Sequence, residues 1–88
     1  MTKVPTVETI EYAIKALNDA LQLVLSRQRM NEADKMEQVR QGNYSNAATH
    51  AGMHVGMLAA ENMIRIEIQT LQQRLVGVKQ YWKAQETN

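Results

Sequence analysis

The sequence predicts an all-α protein: a helical hairpin that assembles further as a helical-bundle oligomer. Three observations carry this expectation. Strong helix formers are plentiful, while Phe is absent and Pro occurs once, a composition that favours helix over strand. Apolar residues recur at alternating spacings of three and four along two long stretches, the periodicity of helical faces. Between those stretches stands Gly42-Asn43, a pair that stops one helix and lets the next begin.

With 88 residues the chain forms one domain, residues 1–88. A domain of this size buries only about 60–65% of its unfolded surface. The absence of cysteine excludes disulfides, thiolate metal sites and a cysteine nucleophile. Small chains without such staples commonly gain stability by oligomerising. Ten Lys+Arg against nine Asp+Glu leave a net charge of +1 with the signs interspersed, which argues against dedicated nucleic-acid binding. No apolar run approaches the roughly 18 residues of a membrane span, and "MTKVPTVETIEY" lacks the apolar stretch of a signal peptide. The expectation is a cytoplasmic protein without membrane contact.

In the first arm, Pro5 suits a first helical turn, and Thr6 or Thr2 supplies a cap. Val7, Ile10, Ile14, Leu17, Leu21 and Val24 then form an apolar stripe that Ala13 and Ala20 widen. Glu8, Glu11, Lys15 and Asp19 fall on the opposite side. The polar stretch "SRQRMNEADKMEQVRQGNYS" follows. Asn31 with Glu32 and Asp34 reads as the cap of a new short helix through Arg40, so the first arm is expected to break near residues 30–31. A straight continuation is the alternative, because neither Gly nor Pro interrupts the stretch.

Ser45 is the expected N-cap of a long second helix spanning about 46–83, some 57 Å at 1.5 Å per residue. From Ile64 onward Ile68, Leu71, Leu75, Val78 and Trp82 make a narrow seam for one neighbouring helix. Met53, Met57 and Ala60 are expected to continue it towards the turn. The earlier half carries a second apolar surface of Ala48, Gly52, Val55, Ala59, Met63 and Ile66. One arm of a hairpin cannot cover both sides of the other, so this surface, with Gly56, is expected to meet another chain. Ala48, Gly52, Gly56 and Ala60 also repeat at the four-residue spacing that lets two helix backbones approach closely. The alternatives are glycines that relieve crowding inside the hairpin, or a ligand lying against the backbone.

His50 and His54 share a helical face at the spacing of paired metal ligands, and Glu61 lies two turns on. An isolated HxxxH is common, and interface or surface histidines are the plainer reading; no metal and no cofactor is assigned. Ser26 and Ser45 have no base in the sequence around them, and no carboxylates pair on an apolar face, so no enzyme is expected. Basic residues collect at Arg27 and Arg29 and again at Arg74, Lys79 and Lys83 beside Tyr81 and Trp82. Such groups favour a helix C-terminus; with aromatics they also stack on bases and neutralise phosphate. Arg65 and Tyr12 are expected to contribute where oligomerisation brings chains together, so the ligand-binding candidates are Tyr12, Arg27, Arg65, His50, His54 and Glu61. Met53, Met57 and Met63 are read as packing residues rather than an adaptable binding surface.

In size, absence of cysteine and hairpin pattern the chain resembles small phage-encoded helical proteins that counter bacterial defence. "GNYSNAATHAGMHVGM" looks like turn-and-helix stretches in small phage reading frames. Within that group the resemblance is to cyclic-nucleotide sponge proteins, which implies a compact hairpin in a higher oligomer that traps signalling nucleotides between subunits with aromatic and basic side chains.

The leading expectation is a non-enzymatic homo-oligomer acting by binding, as an inhibitor or sequestering protein for a host protein or a small nucleotide-like ligand. The alternatives are a structural or regulatory module that dimerises and docks on one partner, and a metal-dependent activity at His50, His54 and Glu61.

Overall fold

The computed structural model describes residues 4–86 as two antiparallel helices, α1 (Val7–Arg40) and α2 (Tyr44–Glu86). Thr6 caps α1: its Oγ1 accepts from the Thr9 backbone N–H at 3.2 Å, satisfying one of the orphan donors of the first turn. Thr2, the other cap candidate, lies outside the described residues.

The expected break near residues 30–31 does not occur. α1 continues through Met30 and Asn31 to Arg40, so Asn31 is no cap. Its carboxamide is drawn instead into contact with the facing helix (described below), and a side chain satisfied there offers the backbone no competing turn.

The turn forms where expected. Gly42 adopts φ 74°, a left-handed conformation that costs a side-chain-bearing residue about 1–2 kcal/mol. The Asn43 N–H donates to Gln38 O at 2.8 Å and the Gly42 N–H to Val39 O at 3.0 Å. This pair of bonds closes the end of α1. Asn43, rather than Ser45, begins the next helix: its Oδ1 accepts from the Asn46 N–H at 3.4 Å and its carbonyl from the Ala47 N–H at 3.1 Å. α2 therefore starts at Tyr44 and ends at Glu86, slightly longer at both ends than its apolar pattern implied.

The two arms zip along one seam. On α1 it runs Val7, Ile10, Ile14, Leu17, Leu21, Val24, Gln28, Asn31, Lys35 and Gln38, all buried or half-buried. On α2 it runs Ala47, His50, His54, Met57, Glu61, Ile64, Ile68, Leu71, Leu75 and Val78. Both lines alternate steps of three and four, the spacing that keeps one face towards a single partner. At the far end Trp82 closes the seam by donating its Nε1–H to Pro5 O at 3.0 Å.

The seam departs from expectation in its path towards the turn. Met53 is 48% exposed; the buried line passes through His54, His50 and Ala47 instead. Met63 is exposed as well, so of the methionines read as packing residues only Met57 is half-buried within the hairpin. The seam thus has two halves. The open end faces Ile10, Ile14, Leu17, Leu21 and Val24 towards Ile64, Ile68, Leu71, Leu75 and Val78, whereas the turn end pairs Gln28 with Glu61 and Asn31 with His50.

The molecule is a rod of 70 × 19 × 17 Å with a radius of gyration of 19.8 Å, against about 12 Å for a compact domain of this length. Among the described residues no large side chain is fully buried. No helix is long and apolar enough to cross a membrane.

Candidate binding surfaces

The polar half of the seam brings together several of the sequence's candidate residues. Asn31 is 4% exposed. Its Nδ2 donates to the His50 carbonyl at 2.8 Å, and its Oδ1 lies 2.7 Å from His50 Nδ1. Because that carboxamide oxygen only accepts, the His50 ring must donate from Nδ1, and in its neutral form Nε2 carries no proton.

One turn back along α1 and two to three turns on along α2, Gln28 Nε2 donates to Glu61 Oε1 at 2.9 Å and reaches Met57 O at 3.4 Å. Arg65 Nε donates to the other Glu61 oxygen at 2.8 Å. Gln28 first, then Arg65, hold the Glu61 carboxyl below its ordinary value of 4.5. Between the two clusters His54 Nδ1 is buried without a hydrogen-bond partner among the described residues.

These contacts bear directly on the metal-site idea. His50 Nδ1 and both Glu61 oxygens are committed to other partners. Among the described residues no three His, Cys, Asp or Glu side chains gather as ligands would.

Arg27 and His50 do share one recess. With Met30, Asn31, Asp34, Met53 and Met57 they line an open recess of about 200 Å³ on one flank of the hairpin. A cationic guanidinium, a carboxylate, an imidazole edge and exposed thioethers around one concavity suit a small, partly polar ligand. Tyr12 is 75% exposed on the outer side of α1, about 22 Å from Arg27 along the helix. Arg65 lines a different depression with Asn18, Leu21, Ile68 and Gln69. One chain therefore does not bring Tyr12, Arg27 and Arg65 to one place.

At the open end, Tyr81 and Trp82 stack edge to face with centroids 5.0 Å apart. Trp82 turns towards the start of α1, where Thr6, Val7, Glu8 and Glu86 line the adjoining recess. Carboxylates, not the expected cations, border the indole there.

The outer side of α2 is the other surface. Val55 is 67%, Met63 72% and Ile66 61% exposed, and Ala48, Gly52, Gly56 and Ala59 are exposed beside them. A Cβ added at Gly52 or Gly56 would meet nothing within 4 Å. Relief of crowding inside the hairpin therefore does not explain these glycines.

The sequence gives Gln28 no role and reads Asn31 as a cap, although the alternation of three and four carries Val24 on to both. The signal was present in spacing and hidden by polarity. No family model, curated protein or solved structure matches this chain.

Proposed function

We propose that this chain is a non-enzymatic, self-associating helical hairpin that acts by binding, as an inhibitor or sequestering protein in the cytoplasm. One observation carries the reading: the half of α2 nearest the turn is polar inside and apolar outside. Its inward line bears His50, His54 and Glu61, while its outward line bears Val55, Met63 and Ile66 around small residues. Fully burying a side chain such as Val, Met or Ile is worth about 1.5–3 kcal/mol, and the hairpin leaves these outside. A second copy of the chain is the economical cover.

In this reading the recess beside Arg27 and His50 faces the ligand, and assembly brings Tyr12 and Arg65 of neighbouring copies towards it. A nucleotide signal fits that chemistry, since aromatic faces stack on bases and guanidinium groups bind phosphate. The resemblance to phage proteins that counter bacterial defence supports the same class, with a host protein as the other target.

Native mass spectrometry of protein purified from cells tests this. An oligomer carrying a nucleotide mass is the expected result. A bare oligomer favours the structural or regulatory module instead, a bound metal mass favours chemistry at His50, His54 and Glu61, and a bare monomer overturns self-association.

A further inference from the structure

We propose that the outer face of α2 pairs along its whole length with the same face of a second copy, the two helices running parallel and in register. The proposal rests on the self-association just described and extends it beyond the apolar half.

The observation is a lane without charge. Every outward-facing residue of α2 from Ser45 to Gln80 is exposed, and none is Asp, Glu, Lys or Arg. Beyond Ile66 the lane continues as Gln69, Thr70, Gln73, Val76, Gly77 and Gln80. Charged side chains of α2 over this span keep to its edges, at Arg65, Glu67, Arg74 and Lys79, or to the seam, at Glu61. The outer face of α1 is the internal control, for it carries Glu8, Lys15, Asp19, Arg29, Glu37 and Arg40, all exposed. A solvated helix face ordinarily carries charge, and depletion of charge marks the centre of interfaces.

Area points to a second copy. The chain exposes 6740 Å², about 1,500 Å² more than the roughly 5,200 Å² expected of a compact monomer of this mass. That excess falls within the about 1,000–2,500 Å² that each subunit of an obligate homodimer removes from water. A surface with no charge of its own also needs no complementary charge, so an identical surface matches it.

Polarity sets the direction. The lane is mostly apolar or small from Ala48 to Ile66, where Thr49 and Asn62 are its polar members, and richer in carboxamides from Gln69 to Gln80. Parallel pairing sets each half on its like, where glutamines both donate to and accept from glutamines. Full-length antiparallel pairing would lay Gln69 on Ala59, Gln73 on Val55 and Gln80 on Ala48, burying carboxamides against groups that cannot answer them.

The chain has no cysteine, so single cysteines report the geometry without background. Ala48→Cys and Gln80→Cys stand at opposite ends of the lane, about 48 Å apart along the helix. With oxidised glutathione, each variant alone is expected to form covalent dimers at least tenfold faster than Ala16→Cys on the outer face of α1. Dimers from Ala48→Cys but not from Gln80→Cys overturn the full-length interface. Preferential mixed disulfides between the two variants overturn the parallel direction. A parent chain that sediments as a monomer at tens of micromolar overturns self-association itself.

Discussion

The Asn31 carboxamide holds His50 at two points, giving a hydrogen to its carbonyl at 2.8 Å and taking one from its ring at 2.7 Å. This fastens the last third of α1 to the first turns of α2. A single buried Asn at a seam position fixes the register of paired helices, because sliding either helix leaves the amide without partners.

Replacing it tests that assignment. Asn31→Ala leaves the His50 Nδ1–H without its partner and is expected to cost about 1–3 kcal/mol. For a domain of this size each kcal/mol lowers Tm by about 4–8 °C. Combined with His50→Ala, the pair should show a coupling energy of about 0.5–3 kcal/mol in a double-mutant cycle. Additive losses would mean that the two residues act independently.

His54 gives the opposite sign. Its Nδ1 is buried and has no hydrogen-bond partner among the described residues, a cost of about 1–3 kcal/mol that an apolar side chain of similar size does not carry. His54→Leu is therefore expected to raise Tm in thermal melts followed by circular dichroism. A lower Tm would place a partner on that nitrogen.

Glu61 makes stability sensitive to acid. Its pKa is lowered by Gln28 and Arg65 in the fold, so its contribution is full above its ordinary value of 4.5 and fades as pH falls through the lower folded value. Glu61→Gln should lose less Tm than the parent between neutral pH and the acid side of that value. Equal losses in the two proteins would show that other carboxylates govern the acid response.

The glycines separate helix propensity from assembly. Nothing in the hairpin crowds Gly52 or Gly56, so in an isolated hairpin alanine at either position should stabilise by up to about 1 kcal/mol. At a close contact between copies, larger side chains overpack it by about 1–3 kcal/mol. Gly52→Leu with Gly56→Leu is thus expected to weaken the oligomer in sedimentation at low micromolar concentration while the helical signal persists. Full-strength assembly with both leucines would remove the glycines from the interface.

Much of the hairpin is legible in the sequence. The stripe from Val7 to Val24, the turn at Gly42-Asn43 and the seam from Ile64 to Val78 follow from period and local turn chemistry, which act through neighbours in the chain. The break assigned to Met30 and Asn31 did not survive, because a polar residue mid-helix looks like a cap until its partner across the hairpin is known. The path through His50 and His54 was misplaced onto Met53 for the same reason. Hydrophobicity marks a seam only where the seam is apolar, and near the turn it is built from hydrogen bonds.

The sequence by itself determined that the chain is helical, where it reverses, and that its second helix bears an apolar surface besides the seam from Ile64 to Val78. Those properties depend on propensity, a left-handed glycine and spacing, each set within a few residues. Only the tertiary structure decided which residues carry the inward side of α2 on towards the turn. Its arms choose the face on which Asn31 and Gln28 find His50 and Glu61, since a buried polar group is tolerated only with its partners present. That choice leaves Val55, Met63 and Ile66 outside, on the surface where a second copy is proposed to bind.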